Sequence, residues 1–140
     1  MSDTAELYQS IIMGRTKNPS HAGKPKKFDA EGEGDNPMCG DRIHVYLQRD
    51  GSKVFHESRG CAIMIASAEL MADAVAGLDA AQIAQRRAAF EAVVNSGAKD
   101  PSLGELNALA GVSEYRSRIR CATLPWSALA QALEEDQENG

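Results

Sequence analysis

Disulfide chemistry has almost nothing to work with in this chain. There are only three cysteines, an odd number, so they cannot all pair within one molecule. No stretch approaches the roughly 20 apolar residues needed to span a bilayer. The opening residues carry Asp3 and Glu6 where a secretory leader would carry basic charge. Reduced thiols and a cytoplasmic location are the expectation, with no membrane partner. A net basic charge is also missing: the formal charge of −5 argues against general nucleic-acid binding. No phosphate loop, Ser–His–Asp arrangement or internal repeat is evident. No C-x-x-C pair occurs, and the cysteines at 39, 61 and 121 lie 22 and 60 residues apart. Zinc ribbons, zinc fingers and thioredoxin motifs are thereby excluded. Ligands this dispersed have to be gathered by the fold.

With 43% hydrophobic and 25% charged residues, the 140-residue chain reads as one ordinary globular domain spanning 1–140. Thr4 to Met13 reads as a short helix stopped at Gly14. A basic loop follows, with Arg15, Lys17, Lys24, Lys26 and Lys27 and no acid. Residues 28–36 are polar and glycine-broken, a candidate extra strand. Arg42 to Gln48 alternates Ile43, Val45 and Leu47 with polar residues, the period of a half-buried strand. Asp50-Gly51 signals a hairpin into a second strand over 53–58. The period then becomes helical over Ala62 to Val75, with Gly77 at the stop. Asp79 is placed as N-cap of a helix over Ala80 to Val94. Pro101 opens a short helix over Leu103 to Leu109, and a last helix starts at Ala122 or Leu124 and runs to Glu134. Residues 134–140, with four acids, are expected to fray. The expected class is α+β: a small antiparallel sheet with helices packed on one face.

Asn36-Pro37-Met38-Cys39-Gly40-Asp41 is a tight turn before a strand, and Asp41 shares the space of Cys39 if Gly40 bends the chain. Thiolate and carboxylate are both competent zinc ligands. Cys61 stands at a predicted helix start, where unpaired N–H groups and the positive dipole end favour thiolate. Cys121 is expected at a second helix start, behind Arg116, Arg118 and Arg120, whose charge acts in the same sense. Together these placements point to one shared reactive or metal site. His44 and His56 read as surface or half-buried strand residues, and His21 as solvated. None of them is taken as a ligand.

These motifs resemble the IscU/NifU-like scaffold family, specifically its SufU branch, along nearly the whole chain. Asn36 to Asp41 is similar to the first ligand motif. Gly60-Cys61-Ala62-Ile63 with Ala66-Ser67-Ala68 is similar to the second, and Arg118 to Trp126 to the third. Met64 departs from the family's usual serine. Arg120 stands where the IscU type carries histidine, and the 60-residue gap accommodates the extra residues of the SufU type. The resemblance implies a Zn2+ ion held by Cys39, Asp41, Cys61 and Cys121. It also implies a role in iron–sulfur cluster assembly beside a SufS-type cysteine desulfurase and other assembly proteins. In that role the protein is sulfurtransferase-like, and Cys39, on its glycine-flanked turn, is the expected acceptor of persulfide sulfur. The alternatives are a scaffold holding a [2Fe–2S] cluster on the same residues, or zinc with a purely structural role.

Overall fold

The computed structural model describes residues 3–38 and 40–139, the side chains of 3–8 and 139 excepted. The alternating segment forms the central strand β2 (Asp41–Gln48) of a three-stranded antiparallel sheet. β1 (Ala30–Asn36) flanks it on one side and β3 (Lys53–Arg59) on the other. Ile43, Val45 and Leu47 point inward and are buried. Glu33, Asp35, Arg42, Glu57 and Arg59 stay exposed on the opposite face. Asp50-Gly51-Ser52 closes the hairpin as a single 3-10 turn in which Gly51 takes φ 78°.

The glycine-broken segment is a true strand, and its glycines have a packing cause. The C-terminal helix α4 (Arg116–Asn139) lies directly on β1. A Cβ at Gly32 would sit 2.0 Å from the Ala128 carbonyl, and one at Gly34 would sit 3.0 Å from Leu124. Strand and helix approach closely because neither glycine has a side chain.

α1 (Asp3–Lys17) continues through Gly14, where a stop was expected. α2 (Ala62–Val75) has the expected bounds, and Gly77 takes φ 78° beyond its end. α3 (Ala80–Ser96) begins with a capping box: the Asp79 carboxylate accepts from the Gln82 N–H, and the Gln82 amide oxygen from the Asp79 N–H. The expected short helix is instead a 3-10 segment, Pro101–Glu114, broken at Gly104. Helices and 3-10 segment bury a core in which Trp126 stacks on Phe90, ring centres 5.1 Å apart.

Two further expectations change. α4 begins at Arg116, not near Ala122, and carries Pro125 in its interior. Pro125 removes one N–H from the ladder, and the Ser67 hydroxyl of α2 donates to the Ala122 carbonyl in that turn. The helix also runs past its expected end at Glu134, through the acidic tail to Asn139. Glu135 accepts from the Glu31 N–H, and Asp136 pairs with Arg49 at 2.7 Å.

The basic loop is anchored by groups the sequence reading left aside. Glu69 on α2 is fully buried and accepts from the His21 N–H (3.0 Å) and the Ser20 hydroxyl (3.3 Å). His56 on β3, expected at the surface or half-buried, is 1% exposed, and its Nε2 lies 2.6 Å from Glu69. The His21 ring, expected in solvent, contacts Asp73 at 2.8 Å, and Arg15 pairs with Asp73 and Glu105.

Candidate metal centre

Three of the four sequence-derived site residues converge at one end of the sheet. Asp41 opens β2, follows Gly40 at φ 72°, and is 1% exposed. Cys61 is the N-cap of α2, as expected, and is half-buried. Cys121 lies in the second turn of α4 and is buried. One ligand atom from each lies within 4.8 Å of the other two. Cys39 lies outside the described residues.

The Asp41 carboxylate organises the group. Its Oδ1 accepts from the Cys61 backbone N–H at 3.0 Å, using one of the donors that the start of α2 leaves free. Its Oδ2 accepts from the Cys121 thiol at 2.8 Å and lies 3.7 Å from the Cys61 sulfur. Around a tetrahedral zinc ion, sulfur and oxygen ligands stand about 3.5–4 Å apart. The Cys61 sulfur already stands at that distance from Oδ2, the Cys121 sulfur would move out from its 2.8 Å hydrogen bond, and the donor set of two thiols and a carboxylate within 4.8 Å suits such an ion.

Gly60 is part of this construction, and the sequence reading did not single out its role. It adopts φ 154°, and a Cβ there would meet Asp41 Oδ1 at 2.2 Å. The chain can turn past Asp41 into α2 only without a side chain at this position.

The expectation of a thiolate-favouring start at Cys121 is corrected. Cys121 is not at a helix terminus, and Arg116, Arg118 and Arg120 are all exposed. Arg118 lies over the Tyr115 ring at 5.1 Å. Burial, then the hydrogen bonds with Asp41 and Cys61, push the Cys121 thiol well above its ordinary pKa. Without a cation, this group holds its proton.

A cleft of about 1100 Å³ opens over the three residues, walled by Ile12 and Met13 of α1 and by Lys99, Gly111 and Arg118 on the far side. His44 stands apart on the outer face between Glu31 and Glu33. His56 is engaged with Glu69, so neither histidine joins the site.

A three-stranded sheet with helices on one face and a Cys/Asp group at its end matches a known architecture. Residues 7–122 match the model of the NifU-like N-terminal domain, and the chain belongs to that family. It is 35% identical over 136 residues to the zinc-dependent sulfurtransferase SufU of Bacillus subtilis (strain 168), covering 94% of this chain and 92% of that protein. It is 33% identical to the iron–sulfur cluster assembly scaffold protein IscU of Streptococcus pyogenes serotype M1, covering 95% and 86%. The crystal structure of a putative iron–sulfur cluster assembly scaffold protein for the SUF system from Fervidobacterium islandicum AW-1 superposes with a TM-score of 0.81. That pair is 30% identical and covers 91% of this chain and 97% of the other.

Proposed function

We propose that this protein binds Zn2+ through Asp41, Cys61, Cys121 and Cys39, and relays persulfide sulfur from a cysteine desulfurase into iron–sulfur cluster assembly. The observation that carries the reading is the gathering of Asp41, Cys61 and Cys121 within 4.8 Å from three separate elements. Bound zinc would supply the positive charge that keeps buried thiols deprotonated. Asp41 and the two helix-borne cysteines form the frame. Cys39 is the acceptor, on a turn whose neighbour Met38 is 85% exposed.

The transfer is thiol exchange. The Cys39 thiolate attacks the outer sulfur of the partner's cysteine persulfide. One S–S bond forms on Cys39 as the partner's S–S bond breaks, and the partner's cysteine leaves as thiolate. No external oxidant or reductant enters. The open cleft gives a partner segment access to the site.

The test is alanine release by a SufS-type desulfurase supplied with cysteine. Zinc-loaded protein accelerates release, and Cys39→Ser abolishes the acceleration. Release at the desulfurase-alone rate with wild type would overturn the relay. The scaffold reading is favoured by the likeness to the Streptococcus protein named IscU. Metal and sulfide analysis of anaerobically purified protein separates the two: zinc without acid-labile sulfide supports the relay.

A further inference from the structure

Asn36 is the last residue of β1 and pairs directly with Asp41 across the sheet. Directly opposed residues in an antiparallel pair send their side chains to the same face, with Cβ atoms about 5 Å apart. Asn36 therefore stands beside the carboxylate that gathers Cys61 and Cys121. It is only 8% exposed, and its buried Nδ2 has no hydrogen-bond partner. An amide donor buried without an acceptor costs about 1–3 kcal/mol.

The metal centre has the complementary deficit. In the metal-free arrangement the Cys121 thiol donates to Asp41, which is also the acceptor facing the Cys61 thiol. Loading a cation removes the thiol protons and converts both sulfurs from donors to anionic acceptors. Among the described residues, no N–H donates to either sulfur. A buried donor without an acceptor thus stands across the strand pair from the carboxylate that meets two sulfurs, to which no described N–H donates.

We infer that the Asn36 side-chain N–H is the hydrogen-bond donor to a thiolate ligand of this centre. It is a positioning residue that tunes the metal site through its sulfur. This rests on the metal-binding reading above. Hydrogen-bond partners of metal ligands typically contribute 10–100-fold in metal affinity. Asn36 also belongs to the turn's first strand residue pair, so its engagement would fix the end of β1 against β2.

The test measures zinc affinity by chelator competition, and thermal melting of the metal-free form, for wild type, Asn36→Leu and Asn36→Ala. Leucine keeps the branched side-chain skeleton, at a larger volume, and removes the orphan donor; alanine serves if leucine is not accommodated. Zinc affinity falls about tenfold or more, while the metal-free leucine variant melts at or above wild type. In the Co2+-loaded protein the sulfur-to-metal charge-transfer band moves to lower energy in both variants, because a thiolate stripped of a hydrogen bond is easier to oxidise. Wild-type affinity in the variants overturns the inference. So does an affinity loss matched by an equal fall in metal-free melting temperature, or an unshifted cobalt band. Wild type that binds neither zinc nor cobalt would instead sink the metal site itself, and this inference with it.

Discussion

Asp41 shows how much one side chain can organise when it is buried beside a strand end. It accepts from the Cys61 backbone and from the Cys121 thiol, and it leaves no room for a Cβ at Gly60. Gly60→Ala is expected to displace the carboxylate, lowering metal-free stability by about 1–3 kcal/mol in denaturant titration. Zinc affinity falls in parallel, because the frame is no longer assembled. The raised Cys121 pKa has its own consequence. Its thiol is protonated at neutral pH, so zinc binding must release that proton. Affinity therefore rises with pH across the neutral range, by about tenfold per pH unit for each proton released. Competition titrations at pH 6.5 and 7.5, with proton release followed by a pH dye, check the slope.

Between elements, two contacts decide how the helices sit. α4 rests on β1 through Gly32, and Gly32→Ala would drive a methyl group into the Ala128 carbonyl 2.0 Å away. The expected outcome is a loss of at least about 3 kcal/mol, or failure to fold, read by denaturant melts. Weaker zinc binding should accompany it, because α4 carries Cys121. On the other edge, Glu69 joins α2 to β3 through His56 and to the loop through His21 and Ser20. Removing one partner of such a buried pair leaves the other uncompensated. Glu69→Ala is expected to cost about 3–5 kcal/mol. Hydrogen exchange should accelerate at His21 before it does in the centre of β2. The basic loop looked solvated in the sequence because the acids that hold it lie about 50 residues away, at Glu69 and Asp73.

At the scale of the molecule, the core extends well beyond the metal centre. Cys121 belongs to the buried cluster and Cys61 packs against it, but most of that cluster is the stacked Phe90 and Trp126 and the apolar faces of β2, α2 and α4. Metal removal is therefore expected to leave a cooperative, folded protein with a lower melting temperature. Zinc at about 100 times its dissociation constant should restore about 2.7 kcal/mol. Calorimetry with and without chelator measures both. A chain that unfolds on chelation would make the zinc structural and remove the basis for a relay. No described helix is long and apolar enough to cross a membrane.

The local signals were sufficient wherever a residue's role depends on its neighbours in the chain. Alternation over Ile43, Val45 and Leu47, the Asp79 cap, and the turn before Asp41 all foretold their elements, and the motifs around Cys61 and Cys121 foretold the family. What depended on distant partners could not be read this way. Gly32 suggested a broken segment because its justification is a helix roughly 100 residues later. The run from Arg116 to Arg120 reads as lying before the last helix because nothing local shows that α4 already begins there. The acids after Glu134 suggested a free tail because Arg49 and the Glu31 N–H are contacts made only by folding. The sequence by itself marked the candidate ligand side chains; tertiary structure alone decided how Asp41, Cys61 and Cys121 meet and bond to one another, because that depends on burial and on groups brought together from β2, α2 and α4.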